Sequence, residues 1–342
     1  MAIIIYKNRV AVHKDVNLPA GSHLPTSIDN EISFRYVAWM ILNNLFPVFA
    51  LLLFGHLLKR LGWTHDAFLK TADKLIYYIF FPALLFWKIG ASASDQVGDP
   101  GLYKAAICAV VSVYVISSLY IKVFSVPAYQ AGSFSQSCYR FNTYIGMAVV
   151  LNALGENGAR QFSLLIGMII PVINILAVST LSWYSEQKVS LLQRMRLTAK
   201  TLIANPLIIA CLAGIIYWRL IGGFPVFIDN TFRLASFVTL PLALFSIGGS
   251  LTLGGMKNHF KLSLVACVFK LILLPVTGYL FLKVFQATGI SLKVGMIYFA
   301  LPTSTALYIL SSQLSSDTQL ASAAIALSTM LSFISLSVAL LI

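Results

Sequence analysis

The sequence predicts an all-α membrane protein with ten transmembrane helices. These are expected to form two inverted repeats of five helices, with broken crossover helices at the fourth and ninth spans. The first observation is composition: of 342 residues, 58% are hydrophobic and 10% are charged, whereas soluble domains are usually about 25% charged. The second is a series of apolar stretches of about 20 residues, the length that crosses a bilayer. The third is an internal repeat, which relates the two halves of the chain.

The chain divides into four segments in order. Residues 1–36 are expected to be a flexible tail, because their apolar run at 3–5 is too short for a signal peptide. Residues 37–184 form the first repeat, 185–200 an amphipathic linker at the membrane surface, and 201–342 the second repeat. The ten spans are predicted at 37–58, 72–92, 102–124, 130–152, 160–183, 201–220, 231–253, 262–285, 292–313 and 320–342.

The repeat appears when the chain is aligned with itself at an ungapped offset of 159 residues. From residue 44 to residue 90 the alignment gives 11 identities in 47 positions, where composition alone would supply about four. The string Pro-x-x-Leu-Phe-x-x-x-Gly occurs at 82–90 and again at 241–249. Because five is odd, the second repeat must enter the membrane from the opposite side, as in many secondary transporters.

The net charge of +13 is interpreted mainly as a sign of orientation. Loops after the odd-numbered spans carry eleven Lys and Arg residues, against seven in the opposite loops. Since cations collect in cytoplasmic loops, both termini are predicted to lie outside a plasma (inner) membrane. Lys88, within the second span, is expected to extend its ammonium toward the interface.

Several functions lack support in the sequence. The four cysteines lie in apolar stretches without short-spaced pairs, and no nucleotide-binding loop occurs. No Asp or Glu lies near the middle of a span, so an intramembrane protease and an obvious carboxylate relay are not indicated. We expect no catalytic residue, no metal, no cofactor and no nucleic-acid partner. Hydroxyls and carbonyls at a helix break can still bind Na⁺, so ion coupling stays open.

The candidate binding site lies where spans four and nine contain helix-breaking residues. Span four holds Arg140 followed by Asn142, Thr143 and Tyr144, and span nine holds Pro302 followed by Thr303, Ser304 and Thr305. The offset of 159 places Thr143 on Pro302, so the two breaks are expected to be equivalent and to cross. Helix N-termini at such a crossing attract anions.

Two further side chains have open interpretations. Arg140 either faces an anionic substrate through its guanidinium fork or extends to an interface or to the carbonyls of the broken helix. Asn174, in span five, either holds a substrate carboxylate or bonds to a neighbouring helix.

The motifs together resemble the auxin efflux carrier family in its bacterial branch. They are the segment 44–55, the string 81–86, the segment 140–146, the segments 205–209 and 241–249, and the string 300–302. The resemblance covers about residues 40–342. It implies the ten-helix crossover fold shared with bile-acid symporters and sodium/proton antiporters, and transport of small organic anions such as indole-3-acetate, malate or malonate. By position, Asn142, Thr143 and Tyr144 match the family's first crossover, Pro302 the second, and Asn174 a polar residue that helps to hold the carboxylate.

The sequence departs from the plant members in two places. Phe141 and Thr143 flank Asn142 where plant members have prolines, and the short segment 185–200 replaces their long loop. The first difference leaves the geometry and the substrate of this site open, and the second argues against auxin as the physiological substrate. We therefore expect an efflux carrier for a mono- or dicarboxylate, embedded in the lipid bilayer, with a homodimer left open. The alternatives are a Na⁺- or H⁺-coupled carboxylate symporter, and a membrane sensor or scaffold that binds an anion without transporting it.

Overall fold

A computed structural model of the protein describes residues 26–91, 98–184, 191–251 and 256–342. All regular secondary structure within these ranges is helical, which confirms the predicted all-α class. Most of the expected tail and residues 185–190 of the expected linker lie outside the described residues.

The helices fall on either side of the linker. Before it are α1 (Thr26–Arg60), α2 (Asp66–Leu75), α3 (Phe81–Gly90), α4 (Pro100–Val123), α5 (Ala128–Tyr139) and α6 (Thr143–Tyr184). After it are α7 (Leu191–Ile203), α8 (Pro206–Leu220), α9 (Val226–Ser250), α10 (Met256–Val268), α11 (Leu274–Val284), α12 (Gly289–Ala300), α13 (Ala306–Gln313) and α14 (Thr318–Ala339). Two π-helical turns, Ile76–Phe80 and Phe269–Leu273, join α2 to α3 and α10 to α11.

The described chain divides into two units, with the boundary between Leu42 and Asn43. The described part of the first unit is helical. The interrupted helices and the polar groups between them all belong to the second unit.

Six described segments are long and apolar enough to cross a membrane. They are Ala38–Arg60, Pro100–Val123, Ala128–Tyr184, Val226–Ser250, Asn258–Val284 and Thr318–Ala339. Two shorter helices, α8 and α12, are also apolar. The chain is therefore a multi-pass membrane protein, and the finer count of ten spans stays a prediction.

Two boundaries differ from the prediction. Helix α1 begins at Thr26, inside the segment 1–36 that the sequence predicts to be a tail. Helix α7 continues to Ile203, three residues past the expected end of the linker. Asn205 then starts α8, since its side chain accepts hydrogen bonds from the backbone N–H groups of Leu207 and Ile208.

A glycine bends the long helix α6. Gly155 has φ 65° and ψ −157°, outside helical values, a conformation that costs a residue with a Cβ far more than it costs glycine. The bend separates residues 143–154 from residues 156–184, and these two parts correspond to the end of the predicted fourth span and to the predicted fifth span.

Glycines also allow two helices to cross closely. A Cβ added to Gly248 of α9 would lie 1.8 Å from the carbonyl oxygen of Leu52, and one added to Gly55 would lie 2.0 Å from that of Phe245. The backbones of α1 and α9 therefore touch at this point, as small residues permit between membrane helices.

Candidate functional site

Two non-helical segments interrupt apolar helices. Residues 140–142 separate α5 from α6, and residues 301–305 separate α12 from α13. The chain leaves each preceding helix in nearly the same way: Arg140 has φ −65° and ψ 150°, and Leu301 has φ −63° and ψ 148°. Pro302 then lacks a backbone N–H, which prevents α12 from continuing with its normal hydrogen bonds.

The two segments are hydrogen-bonded to each other. The backbone N–H of Asn142 donates to the carbonyl oxygen of Pro302 at 2.9 Å. The hydroxyl of Thr303 donates to the carbonyl oxygen of Ser137, in the last turn of α5, also at 2.9 Å. Backbone groups freed by each break are thus satisfied by the other, as burial in an apolar environment requires.

Helix α14 supports the second break with hydroxyl side chains. Ser328 accepts a hydrogen bond from the backbone N–H of Thr303 at 3.1 Å, and Ser335 donates to the carbonyl oxygen of Ala300 at 2.8 Å. These bonds satisfy donors and acceptors that the interrupted helix cannot pair internally.

Arg140 lies in the first break and is 8% exposed. Its Nη1 donates to Gln136 Oε1 at 3.0 Å and its Nη2 to Asn174 Oδ1 at 3.1 Å, while its Nε has no partner. Neither partner is charged, and among the described residues no carboxylate forms an ion pair with the guanidinium. The positive charge is therefore buried without a compensating negative charge, an arrangement that favours an anionic ligand.

Asn142 has its acceptor satisfied and its donor free. Its Oδ1 accepts from the backbone N–H groups of Tyr144 and Ile145 at 3.1 Å each, and so caps the start of α6. Its Nδ2 is buried without a partner, and because the residue is only 1% exposed, bulk water does not reach this donor. Two N–H donors, on Asn142 and on Arg140, are thus available near the same break.

The structure brings together five of the nine predicted binding residues. Arg140 and Asn174 share a hydrogen bond, and Asn142, Pro302 and Thr303 form the contact between the two breaks.

The other four lie beside this group. Thr143 begins α6, and the Tyr144 ring packs edge-on against Phe81 with centroids 4.6 Å apart. Ser304 and Thr305 directly precede α13, and the Ser304 hydroxyl accepts from the N–H of Ala306 at 3.2 Å. Within the described part of the chain, neither Ser304 nor Thr305 is hydrogen-bonded to the first break.

The group is closed to solvent in this conformation. Arg140, Asn142, Asn174 and Thr303 are each at most 8% exposed. A cavity of ≈10 Å³ lies near the start of α5, lined in part by Tyr129, Gly132 and Ser316. It has room for about one water molecule and contains none of the predicted binding residues.

Sequence reasoning missed a second buried cation, Lys270. It lies in the π-helical turn Phe269–Leu273, is 0% exposed, and donates from Nζ to the carbonyl oxygen of Phe299 at 3.0 Å. The signal was available, because Lys270 and Arg140 are the two cations that lie deep within predicted spans, while every other cation inside a span is close to one of its ends.

Lys88 pairs with a carboxylate at the surface of the protein. Its ammonium forms an ion pair with Glu156 and lies 3.9 Å from the centre of the Trp87 ring. Lys88 is itself buried at 7% exposure, whereas the side chain of Glu156 is 71% exposed, so the ammonium extends from the interior toward an exposed carboxylate.

Apolar helices of membrane-spanning length, with a closed polar group between interrupted helices, define a membrane protein of the solute-transporting class. Comparison with known families gives the same class. The sequence profile of the membrane transport protein family matches residues 40–340, and the chain belongs to this family, which confirms the resemblance to the auxin efflux carriers.

A relative of similar length is also a transporter by name. An uncharacterized transporter of Methanocaldococcus jannaschii is 22% identical over 294 residues, which cover 84% of this chain and 94% of the relative. Family and relative both indicate a transporter and not an enzyme.

Proposed function

We propose that the protein is a secondary carrier that exports a small organic anion, a mono- or dicarboxylate, by alternating access. The observation that carries the proposal is the buried guanidinium of Arg140, which has amide oxygens as partners and no carboxylate among the described residues. A carboxylate fits such a group because it accepts charge-assisted hydrogen bonds and supplies the missing negative charge.

The substrate site in this proposal lies where the two breaks meet. The free Nε of Arg140 and the free Nδ2 of Asn142 are donors for the carboxylate. Asn174 positions the guanidinium through its hydrogen bond, so the two interpretations of that residue are compatible. Thr143, Tyr144, Ser304 and Thr305 flank the site, and the N-terminal end of α6 adds partial positive charge.

The proposed architecture has ten spans in two inverted five-helix repeats, with spans four and nine crossing at the breaks. Paired contacts support it. Gly55 lies against the backbone of Phe245, and Gly214 lies against the backbone of Phe86, with an added Cβ 3.1 Å from its carbonyl oxygen. The offset of 159 converts each contact into the other, which is the relation expected of two repeats about a pseudo-twofold axis.

The repeats in this proposal are residues 37–184 and 201–342, with 185–200 as linker and both termini outside the plasma (inner) membrane. A substrate sealed at the crossing would be exposed to either side by moving one group of helices against the other. Burial of the polar group at no more than 8% exposure suits the closed stage of such a cycle.

Uptake of radiolabelled mono- and dicarboxylates into proteoliposomes tests the proposal. We expect at least one carboxylate to be transported and to show counterflow, and Arg140→Ala to abolish its uptake. Arg233→Ala is the matched control, because Arg233 is exposed and donates a hydrogen bond to Asn230 Oδ1 in its own helix.

Three outcomes would contradict the proposal. Normal transport by both Arg140→Ala and Asn142→Ala would show that the site is elsewhere. Saturable binding without counterflow would favour a membrane sensor or scaffold. An absence of both binding and transport across the panel would exclude carboxylates as the substrate class.

A further inference from the structure

Lys270 is an unusual residue for the centre of an apolar helix pair. Its side chain is fully buried and donates a hydrogen bond to one backbone carbonyl oxygen, that of Phe299. Among the described residues, no carboxylate forms an ion pair with it. A buried lysine without a counter-charge is costly and in a membrane segment usually marks function.

The acceptor of Lys270 lies at the carboxyl end of the interrupted helix α12. In an unbroken helix, Phe299 O would accept from the N–H of Thr303, but that N–H donates to Ser328 Oγ. The carbonyl groups at such an end together carry roughly half a negative charge. The ammonium therefore fills a position that is negative and lacks its normal backbone donor.

The local helix geometry places the ammonium there. Lys270 lies in a π-helical turn, a wide turn that is often found at functional sites. This turn packs against α4, α5, α12 and α14, and α5, α12 and α14 carry the backbone and hydroxyl groups of the two breaks. A neutral amide or hydroxyl could cap a carbonyl oxygen at lower cost, so the charge itself requires an explanation.

We propose that Lys270 is a built-in counter-cation: its ammonium occupies the position at the carboxyl end of the broken helix where ion-coupled carriers bind Na⁺, so that this carrier needs no sodium. In broken-helix transporters, half-helix carboxyl ends and unwound carbonyls coordinate the coupling ion. Here the tethered ammonium of Lys270 permanently takes the place of that ion. The inference rests on the proposed carrier function and specifies its ion requirement.

Thermal unfolding of the purified protein tests the inference without a transport assay. The wild type should unfold at the same temperature in sodium chloride and in choline chloride. Lys270→Ala removes the ammonium and leaves space for an ion, so saturating Na⁺ should raise its unfolding temperature by about 2–4 °C over choline. Lys270→Met fills the space without charge and should show no sodium effect.

Two controls accompany these variants. Lys261→Ala, at an exposed lysine of the preceding helix α10, should behave as the wild type does. Lys270→Arg keeps the positive charge and should remain insensitive to sodium. If Lys270→Ala does not fold, Lys270→Ser replaces it, since its hydroxyl can serve as an additional ligand for Na⁺.

Carboxylate uptake gives the second measurement. Wild-type uptake should be equal in sodium and choline, whereas uptake by the alanine variant should be lost in choline and partly restored by sodium. Wild-type uptake that requires Na⁺ would overturn the inference. It would also be overturned if neither the unfolding temperature nor the carboxylate uptake of the alanine variant differed between sodium and choline. Uptake driven by a pH gradient would also overturn it, because the ammonium would then be a titrating carrier.

The two proposals can fail separately. If the wild type transports no carboxylate, the proposed function fails, while the sodium effect on unfolding still decides the role of Lys270. If carboxylates are transported only with sodium, the function holds and the counter-cation does not.

Discussion

Asn142 combines a structural role and a binding role in one side chain. Its Oδ1 accepts two backbone N–H bonds at the start of α6, whereas its Nδ2 is buried and unpartnered. The two roles use different atoms, so different substitutions can separate them.

Asn142→Asp should keep the helix cap and abolish binding. The aspartate retains an acceptor for the N–H groups of Tyr144 and Ile145, but it replaces the free donor with a negative charge that repels a carboxylate. Asn142→Ala should lose binding and also about 1 kcal/mol of stability with the cap. Unfolding temperature and carboxylate affinity, measured on the same samples, separate the two effects.

Asn205 provides the matched control for these variants. It caps α8 through Leu207 and Ile208 and lies outside the proposed site. Asn205→Ala should therefore lower stability by a similar amount with carboxylate affinity unchanged. Wild-type affinity in Asn142→Asp would contradict the binding role.

The candidate site was only partly predictable at this scale. The sequence indicates Arg140 and Asn142, because several polar residues in a row are rare in an apolar chain. It does not indicate Lys270, since a single lysine amid Val, Phe, Leu and Ile leaves the average hydropathy of the span high. Its acceptor, the carbonyl of Phe299, becomes free only because α12 ends at the break, which no local pattern around Lys270 reveals.

At the scale of elements, side-chain hydroxyls hold the interrupted helices together. The Thr303 hydroxyl bonds to the carbonyl oxygen of Ser137 across the two breaks. This is a contact between elements far apart in sequence, whereas most hydroxyls in the described helices bond to their own preceding turn.

Thr303→Val should weaken this connection with little change in shape. We expect a loss of about 1 kcal/mol in stability, since the carbonyl of Ser137 is left without that donor, and a lower rate of carboxylate uptake. Thr180→Val is the control, because Thr180 bonds to Leu176 O within its own helix. Equal uptake by the two variants would show that the hydroxyl contact does not serve transport.

The crossing of α1 and α9 depends on the absence of a side chain. Gly248→Ala would place a Cβ 1.8 Å from Leu52 O, so the helices must separate. We expect a destabilisation of about 1–3 kcal/mol, measured by thermal unfolding in detergent. Thr231→Ala, an exposed substitution in the same helix, should change stability little, and an equally small effect of Gly248→Ala would contradict the close crossing.

The helical elements were easier to predict than their interruptions. Hydropathy locates apolar helices because the bilayer dictates their length, and Pro302 marks one break chemically. The other break contains no proline, and its position at 140–142 depends on the bond from Asn142 to Pro302 O. The two π-helical turns do have a local signature, since each directly precedes a helix whose second residue is proline, Pro82 or Pro275, and proline removes a hydrogen bond to the preceding turn.

At the scale of the whole molecule, the fixed positive charges predict how transport responds to voltage. Arg140 and Lys270 move with the protein and return with it, so over a full cycle the net charge that crosses the membrane is that of the substrate alone. If no ion is coupled, the membrane potential acts on the substrate by about 2.3 kcal/mol per charge per 100 mV. An inside-negative potential then drives export.

Potassium diffusion potentials set with valinomycin in proteoliposomes measure this dependence. For a monocarboxylate, a potential of about 60 mV should maintain a roughly tenfold concentration gradient, because tenfold corresponds to about 1.4 kcal/mol. For a dicarboxylate, the same potential should maintain about a hundredfold gradient. If uptake did not change with the membrane potential, a compensating cation would have to move with the substrate. The direction of transport would then depend on the gradient of that cation instead of on voltage.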